Sequence, residues 1–248
     1  MLQVAELHEI LEPDTHPDAG IRRKGVFICE QEWSDTCKRF YPDIQKLRLF
    51  HALPYRERIV VVLEILFGEP VFVHPHHICH VIFPGEHQYT TPPYQDFHPV
   101  RGTQNMWTVW TPLGAYDTKL GGLAIARGSN CRGFLQNDDV RSWKLIEDST
   151  EWVGNPFKCG GVVMFHSLTI HRGRDNVTKD RIRLATSARY QSVNEPVDEA
   201  ALGVHMDCAK WEEVYSDWET YDLLKYYWQS IDMDVQPASH RRRAKPTE

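Results

Sequence analysis

Three short stretches hold residues whose type and spacing could do chemistry. The first is Tyr94-Gln95-Asp96, just after Pro92-Pro93. Read as a strand, alternate side chains share a face, so Tyr94, Asp96 and His98 point the same way. A carboxylate among such neighbours can aim into a cavity; a surface Asp beside a turn is the plainer alternative. The second is Phe165 to Gly173, with His166 and His171 five apart. In a regular strand these two face opposite sides, so one would be structural and the other free to ligate a metal. A hydrogen-bonded core or surface His is the plainer reading. The third is Arg183-Leu184-Ala185-Thr186-Ser187. Arg183 has small neighbours on its own face, which leaves room for a guanidinium to grip a carboxylate in bidentate fashion. A salt-bridged strand Arg is the plainer alternative, and Arg181 lies two residues earlier on the same face.

These residues need a scaffold. Tyr55 to Phe67 places Ile59, Leu63, Leu66 and Phe67 at helical offsets before Gly68, which predicts a helix ended by glycine. Asp35 to Phe50 reads as a weaker helix. Beyond Gly68 the texture turns to short β-type runs: Val71–Val73, Cys79–Phe83, Asn105–Trp110, Gly121–Ala126, Gly160–Ile170 and Arg183–Gln191. Turns at Pro84-Gly85 and Gly128 separate some of them. Many short strands punctuated by Gly and Pro predict a barrel or sandwich. Lys210 to Gln229 is aromatic and lacks Gly and Pro, which reads as a closing helical segment. The expectation is one α+β domain over residues 1–248. Helices would fill about 1–69, a β core about 70–192 and a helical segment about 205–230. A disordered tail would run over about 235–248.

Bulk properties narrow the class. A net charge of −6 over 248 residues gives no electrostatic footprint for nucleic acid or an anionic membrane. The start of the chain does not read as a signal peptide, and no apolar run is long enough for a membrane span. None of the six cysteines has CxxC spacing. Free thiols in a reducing compartment, and a cytoplasmic location, are expected.

The order of the three stretches carries more than any one of them. An acidic motif, a His 75 positions later (96 to 171) and an Arg 12 beyond that (171 to 183) follow the layout of iron(II) and 2-oxoglutarate oxygenases. More specifically, residues 60 to 230 resemble the phytanoyl-CoA dioxygenase family. Thr91 to His98 resembles its segment ending in His-Gln-Asp. Trp110-Thr111-Pro112-Leu113, Gly121-Gly122-Leu123 and Gly128-Ser129 resemble its Trp-x-Pro-Leu, Gly-x-Leu and Gly-Ser-His elements, with Asn130 in place of the last His. Phe165 to Asn176 and Arg183 to Ser187 resemble the strands bearing its distal metal His and its cosubstrate Arg.

The resemblance implies a double-stranded β-helix with flanking helices. It also implies iron(II), 2-oxoglutarate and O2, and a small-molecule substrate oxidised, by hydroxylation, with release of succinate and CO2. Asp96 and His171 match metal ligands, and Arg183 the anchor of 2-oxoglutarate. Trp110 matches a pocket wall, and Gln95 the residue between the two proximal ligands. The motif's neighbours His98 and Arg101 are candidates for substrate contact. One of His74, His76, His77 and His80 could touch the cosubstrate. The departure is Tyr94, where the family has its first metal His. Three readings stay open: Tyr94 ligates the metal, water or a His such as His98 fills the gap, or the site holds metal feebly. The last would leave a non-catalytic small-molecule-binding protein on the same scaffold.

Overall fold

The computed structural model describes residues 1–8, 21–22, 39–85, 90–135, 150–154 and 156–239. Its strands are, in chain order, β1 (Ile21–Arg22), β2 (Val71–Val73), β3 (Ile78–Ile82), β4 (Met106–Pro112), β5 (Gly122–Ala126), β6 (Trp152–Val153), β7 (Val163–His166), β8 (His171–Arg174), β9 (Arg181–Ser192), β10 (Val197–Asp198) and β11 (Val235–Gln236). The larger sheet is organised by β9. It pairs antiparallel with β1, β2 and β3 on one side and with β4 on the other, and β4 pairs with β7. A second antiparallel sheet has the order β6-β5-β8.

Strand β9 explains why helices precede the β core. Every residue from Ile182 to Ser192 is buried. Four of its even-numbered side chains, Ile182, Leu184, Ala188 and Tyr190, are apolar anchors. Ile182 and Leu184 pack with Phe40, Tyr41 and Ile44, from helical residues 39–45. Ala188 and Tyr190 pack with Ile59 and Leu63 of the Glu57–Phe67 helix. Each fully buried Leu or Ile contributes about 1.5–3 kcal/mol, so helices and sheet stabilise one another. Of the odd-numbered side chains, Arg183, Ser187 and Arg189 line a cavity. The Glu57–Phe67 helix ends as expected, with Gly68 left-handed at φ 72° and its N–H donating to Glu64 O.

Three expectations are corrected. Residues 160–170 are not one strand. Strand β7 ends at His166, a turn closes through Thr169 N–H to His166 O at 2.8 Å, and β8 begins at His171 in the other sheet. Residues 210–229 are not one helix either. They form a single turn, Trp211–Val214, and a 3-10 turn, Tyr227–Ser230, with Tyr226 at φ 50° between them. Aromatic residues are weak helix formers, and here packing decides. Trp211 donates its indole N–H to Leu202 O and Trp218 to Lys46 O, and both rings join a cluster with Phe72, Tyr215 and Trp228. Finally, residues 235–239 are not a free tail: β11 pairs in parallel with β10, and Ser239 bonds the Asp198 carboxylate.

Cys131, Cys159 and Cys208 are free thiols and Cys79 is in no disulfide among the described residues, while Cys29 and Cys37 lie outside the described residues. No helix among the described residues is long and apolar enough to cross a membrane.

Candidate metal and carboxylate site

One cavity lies between the two sheets, with about 480 Å³ of space between atoms, part of it open to solvent. The larger sheet contributes His80, Thr108, Trp110, Arg183, Ser187 and Arg189; the smaller contributes Leu123, His171 and Gly173; Tyr94 and Asp96 come from the segment between β3 and β4.

That segment is held by a two-way backbone bridge. Tyr94 N–H donates to His171 O at 2.9 Å, and His171 N–H to Tyr94 O at 3.0 Å. The chain then leaves the strand. Asp96 has helical dihedrals (φ −60°, ψ −29°) and opens the short helix Phe97–Val100. Strand parity therefore stops at Asp96, and the expectation that His98 shares its face is corrected. His98 lies near the Phe134 ring. Arg101, at φ 63°, sits over the rings of Phe97 and Phe134. Neither lines the cavity. Nor does Gln95, whose amide donates to Leu168 O and Gly133 O and accepts from Leu135 N–H. It ties three backbone segments together behind the site.

Asp96 is completely buried. Its Oδ1 accepts from Arg189 Nη2 at 2.9 Å, and its Oδ2 accepts from the Thr108 hydroxyl. Burial alone would raise this carboxyl, but the Arg189 charge, then His171 and the Thr108 hydrogen bond, hold it well below the usual carboxylate range. His171 Nδ1 meets Thr169 O at 3.0 Å, so Nδ1 carries the proton and Nε2 presents a lone pair. Burial pushes His171 down, which keeps it neutral. Its Nε2 lies 3.8 Å from Asp96 Oδ1. The Tyr94 ring packs on the His171 ring at 4.2 Å between centroids. Burial, then the Asp96 charge, push that phenol above its ordinary value of 10.0.

At the other end, Arg183 is 5% exposed and donates to Arg174 O. Burial lowers it to about 10. Gly173 permits its approach: a Cβ there would lie 3.1 Å from Thr90 Cγ2 and 3.4 Å from the Arg183 guanidinium. Arg181, its rival in the sequence, pairs instead with Asp117 at 2.7 Å. Trp110 forms an apolar wall, edge-on to Tyr116 and Phe157. Between the two ends His80 Nε2 meets Ser187 Oγ at 2.9 Å, and burial lowers His80 to about 3. The other three histidines of that stretch do not line the cavity. His74 bonds Gln191, His76 bonds Gly203 O, and His77 packs against Phe50 and His51. His166, at the end of β7, packs against Trp107.

Sequence reading missed Arg189 and Thr108. Both carried a signal: Arg189 continues the odd-numbered face of Arg183 and Ser187, and Thr108 shares the face of Trp110 on β4.

Do these residues suit a divalent metal? Asp96 Oδ1 and His171 Nε2 are two buried acceptors facing each other across 3.8 Å, room for an ion at bonds of about 2.1 Å. That pair fits a cation. Among the described residues no three His, Cys, Asp or Glu converge, so the third corner is left to Tyr94 or to a non-protein ligand.

Two antiparallel sheets that enclose a buried Asp–His pair and a buried Arg form the core of a double-stranded β-helix. The family model described as phytanoyl-CoA dioxygenase (PhyH) matches residues 28–185, and the chain belongs to that family. A curated relative, 1-deoxypentalenic acid 11-beta-hydroxylase of Streptomyces arenae, is 27% identical over 149 residues, 52% of each chain. The chain thus spans about half the length of that relative. Among solved structures, the epimerase SnoN in complex with Fe3+, alpha ketoglutarate and nogalamycin RO matches with a TM-score of 0.51 at 21% identity over 59% of each chain. The alpha ketoglutarate dependent carbocyclase SnoK from nogalamycin biosynthesis matches with a TM-score of 0.50 at 20% identity, over 63% of this chain and 64% of its own. These two likenesses concern the fold.

Proposed function

We propose that this chain is an iron(II)- and 2-oxoglutarate-dependent oxygenase that hydroxylates a small molecule, with release of succinate and CO2. The observation that carries this reading is the facing pair of acceptors, Asp96 Oδ1 and His171 Nε2, in the same cavity as the buried guanidinium of Arg183. When bound, iron(II) with 2-oxoglutarate supplies an O2-activating centre that couples decarboxylation of the cosubstrate to oxidation of a C–H bond. Asp96 and His171 would hold the metal. Arg183 would pair with the distal carboxylate of 2-oxoglutarate, and Trp110 would wall its carbon chain. Thr108 and the Thr169 carbonyl orient Asp96 and His171, so little reorganisation is left for binding. Leu123 and Phe165 add apolar wall that keeps water from the reacting position.

Two observations favour a second reading, a carboxylate-binding protein without turnover: Tyr94 stands where a third strong donor would be, and Arg189 occupies Asp96. The test is an anaerobic visible spectrum of the protein with iron(II) and 2-oxoglutarate, with Tyr94→His beside it. A metal-to-ligand charge-transfer band in the unaltered protein is expected. A band seen only in Tyr94→His would overturn the oxygenase reading in favour of the second.

A further inference from the structure

The charges that line the cavity do not balance. Arg183 and Arg189 bring two guanidiniums, Asp96 brings one carboxylate, and no other lining residue is a carboxylate. Arg183 spends a donor on a backbone carbonyl, Arg174 O. Arg189 places Nη2 on Asp96 and Nη1 at 3.4 Å from Ser187 Oγ, while its buried Nε has no hydrogen-bond partner. A guanidinium has five N–H donors, and leaving one buried and unmet costs about 1–3 kcal/mol. Both arginines stand on the cavity face of β9, six residues apart, or about 20 Å between Cα atoms at 3.3 Å per residue. Both side chains line the one cavity, so a single ligand in it can meet both guanidiniums.

We propose that Arg189 is a second anion anchor, so that the cavity takes a short dicarboxylate between Arg183 and Arg189 without needing a metal. This rests on the reading above only in assigning one carboxylate to Arg183. The second carboxylate meets Arg189 through the donors that Asp96 leaves over. Chelation of a metal demands a 2-oxo acid. Pairing with two guanidiniums demands only two carboxylates, and that difference makes the proposal testable.

The experiment is calorimetric titration of the full chain in excess EDTA with glutarate, 2-oxoglutarate and pentanoate, a monocarboxylate of the same length. Glutarate and 2-oxoglutarate are expected to bind within about threefold of each other, and pentanoate about tenfold more weakly or worse, as the loss of one charged hydrogen-bonded contact implies. Asp96→Asn keeps the side chain's size but removes Arg189's internal counter-charge, and should tighten both diacids by about tenfold. Equal binding of pentanoate and glutarate, or no diacid binding in EDTA, overturns the proposal whether or not the variant folds. A folded Asp96→Asn that binds no tighter also overturns it. The charge-transfer band tests the oxygenase reading separately. Glutarate binding in EDTA with no band supports the anchor and removes the oxygenase. A band with no binding in EDTA does the reverse.

Discussion

Arg183 and Arg189 stand on the same face of one strand, both almost wholly buried, yet the fold answers their charges differently. Arg189 has a full counter-charge 2.9 Å away in Asp96, which itself is tied to Thr108. Arg183 has a backbone carbonyl and a glycine left bare beside it. A buried charge answered by the protein belongs to stability, because removing its partner strands it. A buried charge that is hydrogen-bonded to a carbonyl, with the Asp175 carboxylate acting on it only from a distance, has donors and field left for an arriving anion. The contrast separates a guanidinium that the protein already pairs, and that offers a ligand only the donors Asp96 leaves over, from one that is hydrogen-bonded to a carbonyl and not to a carboxylate.

The hardest test of that contrast is Asp96→Ala. It strands Arg189, and denaturant unfolding should show a loss of about 3–5 kcal/mol. A loss under about 1 kcal/mol would mean that Asp96 does not answer Arg189 and would erase the distinction. Arg183→Gln probes the other end. Calorimetry should find 2-oxoglutarate binding weakened by about 10- to 100-fold, the worth of a charged hydrogen-bonded contact, with the unfolding midpoint nearly unchanged. A large fall in stability instead would make Arg183 a structural residue too.

His80 sharpens the comparison from between the two cations. Burial first, then the charges of Arg189 and Arg183, lower it from 6.5 to about 3. The unfolded chain therefore takes up this proton first as pH falls, so stability is full above about pH 6.5 and declines toward pH 3. The slope from this one residue is at most about 1.4 kcal/mol per pH unit. Unfolding free energies measured between pH 7 and 4 should fall less steeply for His80→Gln than for the parent chain; parallel curves would show that His80 is not held neutral. The smallest effect is expected from Gly173→Ala. Its Cβ would press Thr90 and come into contact with the Arg183 guanidinium, so 2-oxoglutarate affinity should drop by about threefold, under 1 kcal/mol, with no loss of stability. Unchanged affinity would show that the bare glycine is not what seats Arg183.

Much of the site was open to a reader of the sequence, for identifiable reasons. Asp96, His171 and Arg183 follow one another at family spacing, and the structure gathers them with Tyr94 and Trp110 around one cavity. Arg189 was open to the same reasoning, since parity along β9 continues unbroken past Ser187. His98 lies off the cavity because the backbone turns helical at Asp96, and Arg101, singled out for its nearness to the motif, sits over the Phe97 and Phe134 rings. Gln95 lies behind the site for a different reason. Its neighbours in sequence line the cavity, but its own amide is claimed by three backbone groups from residues 38 to 73 positions away. The break between His166 and His171 was half visible: their five-residue spacing told them apart, but not that they belong to different sheets.

By itself the sequence determined the family, the helices that precede a β core, and the alternation that sends apolar side chains of β9 one way and Arg183 the other. These are local properties, written in periodicity and in short motifs. Only the tertiary structure decided that Asp96 meets Arg189, 93 positions away, and that the aromatic run after Lys210 packs as turns. It also decided that of four clustered histidines His80 reaches the cavity. The physical reason is that burial and counter-charge are set by which distant segments are brought together, and no local period encodes that.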